Sequence, residues 1–189
     1  MNPERVLEEI EREGRGKGWP IIGPERGRFL DEAVVKHKPE RVLEVGTFVG
    51  YSAIRIGRLL GRDGRMTCLE VDPERADRAR ANIAKAGLGD RIKVVVGDAK
   101  ETIPTVGGRL DLLFLDANKG EYLTYLRLAE PMLHSGSVVV SDNVKRHEVE
   151  LRGYLEYIRN SGPYRSEKIG FGPTFDGSAM DAVEISVRV

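Results

Sequence analysis

The stretch that most constrains this chain runs from Arg41 to Asp72. A short apolar strand ends at Glu44-Val45-Gly46, the turn Thr47-Phe48-Val49-Gly50 follows, a helical run begins near Ser52, and a second apolar strand closes on Glu70. A strand that stops at a glycine-bearing turn and enters a helix presents backbone N–H groups to a ligand, because Gly46 and Gly50 place no Cβ in the way. An acidic residue at the end of the next strand, about 20 residues on, is placed to accept hydrogen bonds from ribose hydroxyls. The segment therefore predicts a βαβ unit that seats a nucleoside.

The same alternation extends along the chain. Strands are expected at 42–45, 66–69, 92–96, 110–115 and 138–140, separated by helices at 52–60, 73–86, about 100–104 and 122–133. The first helix is expected over 6–13, broken by Gly14-Arg15-Gly16-Lys17-Gly18. A second is expected from Pro24 to about His37, and a late one over 148–160. Segments 164–169 and 182–187 read as a closing antiparallel pair, the second alternating Val183, Ile185, Val187. Several strands are apolar on both faces, as in a parallel sheet covered on two sides. The reading is a single α/β domain over residues 1–189, with residues 1–18 as a variable N-terminal helix and loop and seven strands in all.

The dinucleotide fingerprint needs three glycines in Gly-x-Gly-x-x-Gly spacing, and this turn has two. An acidic Glu44 beside the turn disfavours a pyrophosphate and suits a cationic ligand. S-adenosylmethionine, with its sulfonium and ammonium, meets that description. Glu70, with Val71 beside it, would bind the ribose, and Gly97-Asp98-Ala99 at the third strand end would meet the adenine.

Lys plus Arg equals Asp plus Glu at 30 each. Zero net charge argues against general affinity for nucleic acid or anionic membrane. The single cysteine, Cys68, sits in an apolar strand and reads as a small core residue; with no disulfide and no apolar leader, a cytoplasmic location is expected. No apolar run approaches the ~18 residues that span a bilayer. His37 and His134 read as surface residues, and Tyr122 and Tyr125 as helix packing.

Two further strand ends carry chemistry, Asp116-Ala117-Asn118-Lys119 and Ser141-Asp142-Asn143. In a parallel sheet they share a rim with the glycine turn. Asp116, Asp142 and Asn143 offer hard oxygen donors suited to Mg²⁺ or another hard divalent cation. Alone, Asp142-Asn143 would read as an ordinary turn pair.

Taken in order, Val42-Leu43-Glu44-Val45-Gly46-Thr47-Phe48-Val49-Gly50-Tyr51-Ser52-Ala53, Leu69-Glu70-Val71-Asp72-Pro73, Val95-Val96-Gly97, Phe114-Leu115-Asp116 with Lys119, and Ser141-Asp142-Asn143-Val144 resemble the catechol O-methyltransferase family of S-adenosylmethionine- and magnesium-dependent enzymes. The resemblance spans nearly the whole chain from Trp19. It implies a single-domain, Rossmann-like class I methyltransferase fold with a mostly parallel seven-stranded sheet, a C-terminal antiparallel hairpin and helices on both faces.

It implies metal ligation by Asp116, Asp142 and Asn143, and a general-base role for Lys119. It also implies cofactor contacts from Gly46, Thr47, Tyr51, Ser52, Glu70 and Asp116, with Ile22-Gly23 over the methionine end. The phenolic acceptor would meet Trp19, Asn118, Lys119, Asn143 and His147. The sequence departs from the animal enzyme at Asn118, where that enzyme has tryptophan, and at Lys145-Arg146-His147, where it has apolar residues and a proline. The family carboxylate that grips the second catechol hydroxyl would fall near Phe175-Asp176. Rival readings are methylation of a hydroxylated transfer-RNA nucleoside, with Lys145, Arg146 and Arg152 as an RNA track, and a non-catalytic cofactor-binding homologue. A homodimer stays open.

Overall fold

The computed structural model describes residues 2–173 and 180–189. Its strands are β1 (Arg41–Val45), β2 (Arg65–Glu70), β3 (Ile92–Val96), β4 (Leu110–Leu115), β5 (Leu133–Ser141), β6 (Tyr164–Pro173) and β7 (Met180–Arg188). They form one sheet in the order β3-β2-β1-β4-β5-β7-β6. The first five run parallel, while β7 is antiparallel to both β5 and β6. The expected sheet with its closing hairpin is therefore present. Strand order reverses between β1 and β4, which opens a crevice at their carboxyl ends.

The period-2 side-chain alternation of the strands sorts the core into two layers. Val42, Cys68, Val94, Leu112, Phe114, Val138 and Val140 face α1 (Pro3–Lys17), α2 (Gly23–His37), α3 (Tyr51–Gly57) and α4 (Pro73–Lys85). Leu43, Val45, Leu69, Leu113, Leu115 and Val139 face α5 (Ala99–Val106), α6 (Tyr122–Ala129) and α7 (Arg152–Glu156). Continuous apolar strands are thus buried on both faces. Among the described residues no helix is long and apolar enough to cross a membrane.

Several element boundaries differ from expectation. Helix α1 runs through Gly14 and Gly16 to Lys17, and Gly18 caps it in the left-handed conformation. Each helical glycine costs about 1 kcal/mol, but Val6, Leu7, Ile10 and Gly14 form one buried stripe. Salt bridges from Glu9 to Lys85 and from Glu13 to Arg78 tie its polar edge to α4. Helix α6 stops at Ala129, since Pro131 carries no N–H for the α-helical ladder. A 3₁₀ turn over Glu130–Met132 then lets β5 begin at Leu133 rather than Val138. Residues 145–151 form turns, so α7 starts at Arg152 and ends in a π-helical segment, Tyr157–Ser161.

The strand ends are joined by main-chain hydrogen bonds from one side of the crevice to the other. The Gly97 N–H donates to the Glu70 carbonyl at 3.0 Å, Gly46 to Leu69 at 3.0 Å, Asp116 to Val45 at 2.9 Å, and Asp142 to Leu115 at 3.0 Å. Each of these donors or acceptors is at, or next to, a residue singled out from the sequence.

Candidate active site

A cleft of about 880 Å³ opens along these strand ends. Trp19, Ile22, Gly46, Thr47, Tyr51, Ser52, Glu70, Val71, Asp98, Ala99, Asp116, Asn118, Lys119, Asn143 and His147 all line it. Glu44 and Asp142 do not. Phe175 and Asp176 lie outside the described residues.

The glycine turn is held from both sides. Gly46 has φ +92°, and a Cβ there would lie 2.3 Å from the Asp116 carbonyl oxygen. No larger residue fits without parting β1 from β4. Phe48 also has a positive φ, 50°, which is uncommon for an aromatic residue. Its N–H donates to Glu70 Oε2 at 2.7 Å, and its ring meets Trp19 edge-on at 5.5 Å. The Asp72 N–H donates to Glu70 Oε1 at 3.1 Å. Both carboxylate oxygens of Glu70 are therefore fixed by backbone donors, with lone pairs left over for hydroxyls in the cleft. Asp98 caps α5 by accepting from the Lys100 N–H at 2.8 Å.

Glu44, expected to favour a cationic ligand from beside the turn, does not face the cleft. The period of β1 turns its side chain onto the face of Val42, beneath α3, where it is completely buried. It accepts hydrogen bonds from the hydroxyls of Thr47 and Ser52. Glu44 thus braces the turn from behind, and it is Thr47 and Ser52 that reach the cleft wall. Burial raises its carboxyl from 4.5 to about 7, against the opposing hydrogen bonds of Ser52 and Thr47. The folded protein therefore binds this proton more tightly than the unfolded chain. That contribution to stability is full below pH 4.5 and is lost as pH rises to about 7, a fall of about 3 kcal/mol. Glu44→Gln lacks this fall, so urea unfolding at pH 4.5 and pH 8 is expected to show the variant gaining about that amount on the parent. Parallel pH dependence in the two proteins would contradict the assignment. Tyr51 also differs from expectation in detail: the residue lines the cleft, but its hydroxyl donates to Glu11 Oε1 of α1 at 2.6 Å.

On the other side of the crevice, Lys119 reaches in from the turn after β4. Its Nζ donates to Asp116 Oδ1 at 2.9 Å and to the Tyr122 hydroxyl at 2.8 Å. The Tyr122 hydroxyl donates to the Leu115 carbonyl at 2.9 Å, so its oxygen is left to accept from Lys119. Tyr122, expected only to pack α6, is packed completely in the interior and also positions the lysine amine. Asn118 Oδ1 accepts from the Gly120 N–H at 3.3 Å and shapes the same turn. His147 pairs with Glu150 at 3.2 Å at the rim.

Asp142 is buried behind the wall. Arg26 Nη1 lies 3.1 Å from each of its carboxylate oxygens, and the Asn143 N–H donates to Oδ1 at 2.8 Å. Desolvation and the Asp116 carboxylate push the Asp142 carboxyl up, while Arg26 and Lys119 pull it down. Asn143, at φ +63°, donates from Nδ2 to Asp181 Oδ2 at 2.8 Å, so Oδ1 is the atom its amide can offer as an acceptor. Among the described residues, no three His, Cys, Asp or Glu side chains cluster as a metal cage. The donor set is instead two carboxylates and an amide oxygen. Its chemistry fits a hard cation that keeps waters, on the condition that Arg26 yields Asp142.

Arg26, Phe48, Arg75 and Arg146 also line the cleft, and Asp181 orients Asn143. In the sequence Arg146 stood out only as part of an RNA track and Phe48 only as part of the glycine-bearing turn, while Arg26, Arg75 and Asp181 did not stand out. Arg26 lies in the first turn of α2, and no local pattern pairs it with a residue 116 positions away.

A family model described as O-methyltransferase matches residues 2–150. Catechol O-methyltransferase B of Danio rerio is 39% identical over 173 residues, covering 87% of this chain and 65% of that protein. Catechol O-methyltransferase of Mycobacterium tuberculosis is 41% identical over 126 residues, covering 66% of this chain and 57% of that protein. The chain thus spans 57% to 65% of the length of these relatives. An O-methyltransferase from Bacillus cereus, solved in complex with SAH, superposes with a TM-score of 0.88 at 27% identity, over 98% of this chain and 91% of that one.

Proposed function

The chain belongs to the O-methyltransferase family, and from that premise we propose that it transfers a methyl group from S-adenosylmethionine to a hydroxyl of a catechol-like small molecule, aided by a hard divalent cation, magnesium above all. The observation that carries this reading is the placement of the Lys119 amine, on Asp116, in the same cleft as the braced Glu70 carboxylate. The solved relative in complex with SAH supports the choice of methyl donor. The partner is then a phenolic small molecule rather than nucleic acid or membrane.

Each residue has a defined task in this reaction. Glu70 accepts from the ribose hydroxyls, and Gly46 lets the donor approach the main chain. Asp98 and Ala99 bound the adenine end, while Ile22 and Trp19 close the cleft over the methionine end. The donor supplies an electrophilic methyl on sulfur: a bond forms from the acceptor oxygen to that carbon as the carbon–sulfur bond breaks. Lys119 Nζ takes the proton released from the hydroxyl. Asp116, Asp142 and Asn143 would hold the cation, which supplies Lewis-acid polarisation of the acceptor oxygens. Holding donor and acceptor in line supplies much of the acceleration.

The test is a methyl-acceptor screen with catechols, caffeoyl-type phenols, flavonoids and unmodified cell RNA, each with and without chelator. Transfer to a catechol is expected, falling about a hundredfold or more in chelator and restored by Mg²⁺. Full activity in chelator would remove the metal from the mechanism. Transfer confined to RNA would replace the acceptor with a nucleoside.

A further inference from the structure

Arg26 stands between the cleft and one of the carboxylates assigned to the cation. Arg26 lines the cleft, whereas Asp142 does not, and Asp142 is 1% exposed. Asp142 Oδ1 also has the Asn143 N–H, but Arg26 is the partner described for Oδ2. Asp181, 3.8 Å from the same Nη1, is otherwise served by Asn143 Nδ2 and by the backbone N–H groups of Lys145, Arg146 and Ala182. The charge of Arg26 is therefore spent chiefly on Asp142. A cation in the cleft cannot reach that carboxylate while the guanidinium sits there.

The rest of the guanidinium is tied to the segment that covers the cleft. Nε donates to the Ile22 carbonyl at 3.1 Å and Nη2 to the Ile21 carbonyl at 3.3 Å. These carbonyls belong to the loop that carries Trp19 to Ile22 into the cleft wall. One planar group with fixed donor directions thus spans Asp142 and the loop. If its Nη1 leaves Asp142, its other two donors cannot keep their geometry.

We propose that Arg26 is a tethered counter-ion that holds Asp142 until a divalent cation displaces it, and that its departure loosens the Ile21–Ile22 loop over the cleft. This makes Arg26 a positioning residue that sets the cation affinity and couples it to the cofactor cover. The proposal rests on the cation site named above.

The test uses the protein without methyl donor or acceptor. Mn²⁺ binding is followed by electron paramagnetic resonance, and the loop by fluorescence of Trp19, the single tryptophan of the chain. Arg26→Met is expected to bind Mn²⁺ about tenfold or more tighter than the parent, because the cation no longer breaks charge-assisted hydrogen bonds to Asp142. Mn²⁺ should change Trp19 emission in the parent and leave it unchanged in the variant. Asp116→Asn, which weakens binding in both backgrounds, confirms that this is the site titrated.

Arg26→Lys keeps a competing charge but cannot span Asp142 and both carbonyls. It should bind Mn²⁺ much as the parent does while losing the Trp19 response, and it carries the test if the methionine variant does not fold. Equal Mn²⁺ affinity in parent and Arg26→Met overturns the proposal and leaves the cation site standing. A parent-like Trp19 response in Arg26→Lys overturns the coupling. Absence of binding in every protein overturns this proposal and the cation site together.

Discussion

Lys119→Ala is expected to lower kcat by about 10²–10⁴-fold, the usual contribution of a positioned acid–base group, while SAH affinity stays near that of the parent. The asymmetry follows from where the amine sits. Nζ contacts Asp116 and the Tyr122 hydroxyl on the acceptor side of the cleft, whereas the turn that would hold the donor is braced by Glu70, Phe48 and Glu44. Single-turnover rates with a catechol, together with calorimetry of SAH binding, separate the two quantities. Turnover within threefold of the parent would remove Lys119 from the chemistry. Tyr122→Phe offers a graded companion: it keeps the buried ring but removes the oxygen that fixes the amine, so kcat should fall by less than in Lys119→Ala.

Glu70→Ala is expected to weaken SAH binding by about 10²–10⁴-fold. Two charge-assisted hydrogen bonds to ribose hydroxyls would be lost, each worth about 1.5–3 kcal/mol. The same substitution strips the Phe48 N–H of its acceptor, and with it the support for a residue at positive φ. Glu70→Gln retains one acceptor oxygen and should lose less. An SAH affinity within threefold of the parent in Glu70→Ala would sink the ribose assignment, whatever the effect on turnover.

The legible part of this protein is its sheet and its rim. Apolar runs such as Leu112–Leu115 and Val138–Val140 declare buried strands, and parallel connectivity forces their ends, with Glu70, Gly46, Asp116 and Asp142, onto one edge. Local rules sufficed because the information is local: a strand, its terminal residue, and the turn after it. Side-chain direction was harder to read. Glu44 was expected to face a ligand because it precedes the turn, but the alternation that buries Val42 points it the same way, under α3. Gly14 and Gly16 suggested a helix break, and burial of Val6, Leu7 and Ile10 against the rest of the core overrode them. Arg26 and Asp181 could not be found from pattern, since their meaning comes from each other and from Asp142 across more than a hundred residues of chain.

The peptide groups that stitch Gly97, Glu70, Gly46, Asp116 and Asp142 into one row have a consequence for how such a protein can diversify. In the proposed reaction the donor and acceptor half-sites would be mounted on neighbouring strands of a single rigid ruler, so the gap between them would be a property of the polypeptide backbone and would not change when a side chain is exchanged. New acceptor preferences are therefore more accessible through the turns over 143–151, which lie off that ruler, than through the strand tips themselves. A library confined to those turns should retain donor binding in most members, whereas randomising the tips should extinguish donor and acceptor recognition together.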